Sequence, residues 1–221
     1  MITFTACSDT QFTCSDGNCV AMEQRCDGKI NCYDESDEME CQLILFKSSY
    51  NKGISPPPKK YSNVSKIFIS VDIEEILKVD EIGKVIEIKF IFYATWIDSR
   101  LTYQNLKMNP NLNVLQLDSQ KKIWTPVIIF RNTKETDQSR LDDKSLIRVL
   151  PNKNFTYKKS DKGQIQNIYY FQGKENVLEL SRPYRVDFIC SYDMALFPFD
   201  TQTCSMNFEQ NKVNILCVHL E

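Results

Sequence analysis

Cys190-Ser-Tyr-Asp-Met-Ala-Leu-Phe-Pro-Phe-Asp-Thr-Gln-Thr-Cys204 decides the reading of this chain. Two cysteines enclose thirteen residues, with alternating apolar positions at Tyr192, Met194 and Leu196, then Phe197-Pro198-Phe199-Asp200. A disulfide across such a loop is worth roughly 3 kcal/mol, because it constrains the unfolded chain. The plainest reading of such a segment is an ordinary hairpin staple in a secreted β-protein, but its interior is as distinctive as its spacing.

Outward from the loop the apolar period is two. Ile67, Ile69, Val71 and Ile73 alternate with Phe68, Ser70 and Asp72. Ile86, Ile88, Phe90, Phe92, Ala94 and Trp96 alternate with Glu87, Lys89, Ile91, Tyr93 and Thr95. Both runs predict strands with two distinct faces. Residues 123–130, 167–171, 177–180 and 185–192 are further strand candidates. Turn signals separate them at Glu81-Ile82-Gly83-Lys84, Asn109-Pro110-Asn111 and Asp161-Lys162-Gly163. No long amphipathic helix is readable, so the expected fold is all-β, an antiparallel β-sandwich.

The chain has 221 residues and a net charge of −2, which gives no basic surface for nucleic acid and no bulk attraction to membranes. Its nine cysteines are clustered, which argues for an oxidising compartment. Asn63-Val64-Ser65 and Asn154-Phe155-Thr156 are candidate glycosylation sequons, at Asn63 and Asn154. No run of 18 apolar residues offers a membrane span, and residues 1–6 are too short for a signal peptide. The single histidine, His219, and the lack of Gly-x-Ser-x-Gly or His-Glu-x-x-His argue against an enzyme.

Six cysteines run Cys7-x6-Cys14-x4-Cys19-x6-Cys26-x5-Cys32-x8-Cys41, with Cys26-Asp27-Gly28 and Asp34-Glu35-Ser36-Asp37-Glu38 between them. So short a piece cannot build a sufficient apolar core and relies on disulfides and a metal. An even cysteine set with clustered carboxylates suits disulfides plus Ca²⁺ better than zinc. Residues 7–41 resemble the LDL-receptor class A module. That resemblance implies the pairs Cys7–Cys19, Cys14–Cys32 and Cys26–Cys41. It implies calcium held by the side chains of Asp27, Asn31, Asp37 and Glu38 and the carbonyls of Gln24 and Lys29. Asn31 stands where the family usually has Asp, so calcium binding is expected to be weaker than usual. The family's lysine-docking positions read Gln24, Asp27, Lys29 and Asn31, without the aromatic platform, so a structural or accessory role is expected.

Residues 42–62 begin apolar and turn to Pro56-Pro57-Pro58-Lys59-Lys60, an extended spacer. The expected organisation is a module at 7–41, a linker at 42–62, a β-sandwich at 63–210 and an unassigned tail at 211–221.

Four motifs in series resemble the extracellular domain of the Cys-loop, or pentameric neurotransmitter-gated, ion channels. They are Trp96-Ile97-Asp98-Ser99-Arg100-Leu101, Trp124-Thr125-Pro126 with Asn132, the strand entering Cys190, and the Cys190–Cys204 loop. The resemblance implies a subunit of a homo- or hetero-pentamer at the extracellular face of the plasma membrane. It implies a small, neurotransmitter-like ligand bound between neighbours, with gating coupled through the loop tip Phe197, Pro198, Phe199 and Asp200. Packing within the loop is the plainer reading of that tip. Ligand-contact candidates are Ile91, Tyr93 and Trp124, although Trp96 and Trp124 also suit a core. The family's aromatic five residues before Trp96 is replaced by Ile91, and Val127 replaces the acid after Trp-x-Pro. The motifs stop after Glu209. The sequence therefore implies a truncated form whose sandwich is incomplete at its C-terminal end, folds poorly alone, and leaves Cys217 a free thiol. The alternative is a secreted ligand-binding or interaction protein without a pore.

Overall fold

The structure, a computed structural model, describes residues 7–8, 10–58, 66–135, 137–139, 141–152, 157–159, 169–195, 199–210 and 213–220. Asn63, Asn154, Phe197, Pro198 and the 161–163 turn signal lie outside the described residues. The described strands are antiparallel wherever their register is defined, as the period-two pattern requires. In chain order they are β1 (Gln11–Thr13), β2 (Cys19–Ala21), β3 (Ile44–Leu45), β4 (Ile67–Asp80), β5 (Val85–Trp96), β6 (Thr102–Gln104) and β7 (Ile129–Phe130). They continue with β8 (Asp137–Gln138), β9 (Leu146–Leu150), β10 (Tyr157–Lys159), β11 (Tyr169–Gln172), β12 (Val177–Ile189), β13 (Cys204–Gln210) and β14 (Val213–Leu220). The one α-helical turn among the described residues is Leu117–Gln120.

The chain divides into two compact units. The first gathers Met1–Ser65, Ile97–Lys122 and Arg148–Leu178. It holds the β1–β2 hairpin and a sheet ordered β10-β11-β6-β3. The module's small core is Phe12, Cys14 and Cys32, with Val20 and Met22 packed against it. Residues 42–58 are more than a spacer, because Ile44 and Leu45 pair with Tyr103 and Thr102 on β6.

The second unit gathers Lys66–Trp96, Ile123–Ile147 and Glu179–Glu221. β4 and β5 form a long hairpin closed by the turn at 81–84 and paired from Ile67↔Trp96 to Asp80↔Val85, with register shifts between Ile73 and Glu75 and between Ile76 and Lys78. Alternation along β5 buries Ile88, Phe90, Phe92, Ala94 and Trp96 and turns the residues between them outward. The core is aromatic. Phe130 meets Tyr184 and Phe208 edge-on at centroid distances of 5.0 and 5.1 Å, and Phe90 stacks on Tyr184 at 5.6 Å. Each such pair adds about 0.5–1.5 kcal/mol beyond the area it buries.

Three expectations need correction. Only Ile129 and Phe130 of the 123–130 candidate are strand. Pro126 interrupts the run for want of an N–H, and the Ser139 hydroxyl accepts the Ile128 N–H at 2.9 Å. The candidates at 177–180 and 185–192 merge into one strand, β12, which ends at Ile189 and whose burial alternates straight through Pro183. The tail is strand rather than unassigned: β14 pairs with β13 from Cys204↔Leu220 to Gln210↔Val213, so that flank of β13 is not an open edge. Its β-branched, apolar run accounts for this. The side chains of Cys217 and His219 lie outside the description.

Within this unit Arg182 grips Asp142 through two bonds, at 3.0 and 2.5 Å, and lies over the Tyr184 ring at 4.3 Å. That guanidinium holds the Asp142 carboxyl far below the usual carboxylate range. A depressed folded pKa contributes stability above the unfolded value of about 3.9, and that contribution is lost as pH falls below it. The thermal midpoint should therefore drop between about pH 5 and pH 2, and drop less steeply in Asp142→Asn. Parallel curves for the two proteins would contradict the assignment.

Candidate functional site

The module's acidic knot is built by a chain reversal. Cys26 and Gly28 adopt left-handed φ values of 57° and 81°, folding the 26–31 loop back over 37–38. The disulfides join Cys7 to Cys19, Cys14 to Cys32 and Cys26 to Cys41, with Cα separations of 5.5, 5.8 and 5.5 Å. Glu38 accepts the N–H groups of Asp27 and Gly28 at 2.9 and 3.2 Å. Asp37 accepts the Asn31 N–H at 2.7 Å, and the Asn31 amide donates to the Lys29 carbonyl at 2.9 Å. The Gln24 side chain reaches the Asn31 Oδ1 at 3.0 Å. The structure thus brings Gln24, Asp27, Lys29, Asn31, Asp37 and Glu38 into one hydrogen-bonded knot.

One atom of that knot is left over. Asp37 is fully buried, and its Oδ1 has no hydrogen-bond partner. A buried carboxylate oxygen without a partner is costly, and a hard cation is the partner its chemistry suits. Cys14, Cys32 and Asp34 also lie within ligand distance of one another, but both sulfurs are spent in the Cys14–Cys32 disulfide. Only a thiolate serves as a metal ligand, so this trio is not a zinc site.

In the Trp96-to-Leu101 stretch Asp98 is the buried centre of a polar cluster. Asp98 is fully buried and takes Arg100 Nε and Nη2 at 2.8 and 2.7 Å. The Tyr50 hydroxyl donates to the same carboxylate at 3.1 Å. Arg100 then reaches the carbonyls of Asn51 and Ile54 at 3.2 and 2.8 Å, pinning the linker down. Gly173 closes over this turn, where a Cβ would sit 2.2 Å from the Asp98 carbonyl oxygen. The motif letters pointed at Asp98 and Arg100, but nothing local to Tyr50 marked it as their partner.

The candidate ligand contacts do not share one face. Trp124 packs edge-on against buried Trp96 at 6.2 Å. Ile91 and Tyr93 lie on the opposite, outward face of β5. There they pair with Asp72 and Ser70 of β4, and Phe68, two-thirds exposed, continues the same face. A tyrosine, a phenylalanine and a carboxylate on one outward surface can hold a cationic amine through cation–π and charge attraction.

At the other end of the hairpin a disulfide joins Cys190 to Cys204, with a Cα separation of 5.4 Å. The loop is anchored there by the Cys190 N–H on the Lys84 carbonyl at 2.9 Å and by the Tyr192 hydroxyl on the Val85 carbonyl at 3.2 Å. Asp200 accepts a bond from the Gln202 amide. Phe199 of the loop is 92% exposed, and Ile82 in the anchoring turn is 97% exposed. Two large apolar side chains held out from anchored loops are the kind of surface that meets a partner. No helix among the described residues is long and apolar enough to cross a membrane.

Lys107 and Arg25 were not singled out by the sequence, yet both are tied into the module. Lys107 donates to three module carbonyls, and the Arg25 guanidinium lies 4.2 Å over the Phe12 ring.

A model of the neurotransmitter-gated ion-channel ligand binding domain matches residues 39–221, and one of the low-density lipoprotein receptor domain class A matches residues 5–41. The probable ligand-gated ion channel 46 of Caenorhabditis elegans is 29% identical over 175 residues, 78% of this chain and 28% of the relative. The acetylcholine-gated chloride channel subunit acc-1 of the same organism is 25% identical over 181 residues, 81% of this chain and 33% of the relative. The human gamma-aminobutyric acid receptor subunit epsilon is 26% identical over 170 residues, 75% of this chain and 28% of the relative. The chain spans a third or less of the length of these curated relatives.

Proposed function

The chain belongs to the neurotransmitter-gated ion-channel ligand-binding domain family, and from that premise we propose that its β4–β5 outward face takes a small cationic amine between neighbouring copies. The observation that carries this is the surface shared by Phe68, Tyr93 and Asp72, which pairs aromatic faces with a carboxylate. Relatives named for acetylcholine, serotonin, gamma-aminobutyric acid and betaine all carry ammonium groups in their namesakes, which supports an amine. The family consists of ligand-gated channels and not of enzymes. A non-catalytic subunit of a homo- or hetero-pentamer, with this region outside the cell, is the arrangement we infer. Phe199 and Asp200, with Phe197 and Pro198, would pass ligand-driven motion to the membrane part.

Calcium in the module is the second part of this reading. Asp27, Asn31, Asp37 and Glu38, with the carbonyls of Gln24 and Lys29, would hold it. The unpartnered Asp37 oxygen supports the fit. The ion would neutralise the knot and cross-link a loop too small to have much core of its own.

Calorimetric titration of the whole chain with acetylcholine, serotonin, gamma-aminobutyric acid and betaine tests the ligand site. At least one should bind, and Tyr93→Ala should weaken it about tenfold, the scale of a lost cation–π contact. Binding of none, or binding indifferent to Tyr93→Ala and Asp72→Asn, would sink the site.

A further inference from the structure

The module is joined to the rest of its unit by more than the chain that follows it. Lys107 Nζ donates to the carbonyls of Met22 and Glu23 at 2.9 and 3.0 Å and to that of Arg25. Those bonds match the three donors of an ammonium group, so the seat saturates its occupant. The occupant is held from behind: the Lys107 N–H donates to Asn113 Oδ1 at 2.7 Å, and Asn113 Nδ2 returns a bond to the Lys107 carbonyl at 2.8 Å. Asn113 is fully buried and also donates to the Val149 carbonyl at 3.2 Å. A second tie runs beside the first. Arg25, 2% exposed, donates through Nε to Asn105 Oδ1 at 3.0 Å, and Asn105 Nδ2 donates to the Glu40 carbonyl at 3.2 Å.

We propose that the carbonyls of Met22, Glu23 and Arg25 form an ammonium-binding seat on the module, filled by the chain's own Lys107, and that calcium in the knot sets the shape of this seat. The seat and the knot share one turn. Residues 22, 23 and 25 face Lys107, while Gln24 and Asp27 belong to the calcium set. Loosening the knot therefore loosens the collar. The module is then a fixed, calcium-set brace on the segment from Tyr103 to Asn113, and its seat is closed to a lysine from another protein. The seat stands on its own hydrogen bonds; the calcium half rests on the calcium reading above.

Amide hydrogen exchange on the whole chain separates the two halves. The reporters are the amides of Gln104, Lys107 and Asn113 for the braced segment, and those of residues 26–38 for the knot. Lys107→Met keeps the length of the side chain and removes the ammonium. It should raise exchange at the braced amides about tenfold or more, since three charge-assisted bonds are lost. Asn105→Gly, which suits the left-handed φ of 57° at that position, should raise it as well by cutting the second tie. In the unaltered chain, chelation of calcium should raise exchange at both sets; in Lys107→Met its effect on the braced amides should shrink to what the second tie transmits, while its effect on the knot stays. Unchanged braced amides in Lys107→Met would overturn the seat, and unchanged braced amides in Asn105→Gly the second tie. A knot that responds to chelation while the braced amides of the unaltered chain do not would overturn the coupling. A knot indifferent to chelation would overturn the calcium half, and Lys107→Met would still decide the seat.

Discussion

Asp98→Ala is expected to cost about 3–5 kcal/mol of folding stability, the range for breaking a buried ion pair from one side. The carboxylate is fully buried and serves Arg100 Nε, Arg100 Nη2, the Arg100 N–H and the Tyr50 hydroxyl at 2.7–3.1 Å. Its removal strands the guanidinium in place, because Arg100 is still committed to the Asn51 and Ile54 carbonyls and lies 4.7 Å over the Tyr50 ring. Asp98→Asn keeps the shape and one acceptor, so it should cost less. Urea denaturation of the three proteins measures the difference. A loss below about 1 kcal/mol, the worth of an exposed pair, would show that the pair is solvated.

Asp37→Ala should abolish the module's response to calcium. The change deletes the oxygen that has no protein partner and the one that receives the Asn31 N–H at 2.7 Å. Since ligand binding and folding are linked in so small a module, calcium affinity should fall by about a hundredfold or more, and the knot amides should exchange as in the calcium-free protein. Calorimetry with calcium, run beside exchange measurements, reads both. Tight calcium binding by this variant would place the ion elsewhere and remove the argument from the buried oxygen.

The β-architecture was legible because it is written at short range. Alternation from Val85 to Trp96 is visible residue by residue, and the turn at 81–84 closes the hairpin it announces. Trp96, Asp98 and Arg100 could be marked because they fall within one short motif. What was not legible is long-range. The outward placement of Tyr93, against the packing of Trp124 on Trp96, depends on which face of β5 meets the core. Strand β14 lies beyond the last motif, which ends at Glu209, and only the β-branched run from Val213 onward signals it. Lys107 had no signal at all. Its partners are backbone carbonyls some 80 positions away, and a backbone carbonyl leaves no trace in residue identity. Residues 181–184 carry no strand signal of their own, yet the strand runs unbroken through Pro183 from Val177 to Ile189.

The most direct measurement is current from a channel in which this chain is joined in frame to the membrane-spanning part of the acetylcholine-gated chloride channel subunit acc-1. Expressed in oocytes, the chimera should open to at least one small amine. Its dose-response curve should shift to higher concentration in Tyr93→Ala, and coupling should fail when Phe199 is replaced by a charged residue. Surface-expressed chimeras that stay shut to every amine tested, while acc-1 itself responds under the same conditions, would contradict the account.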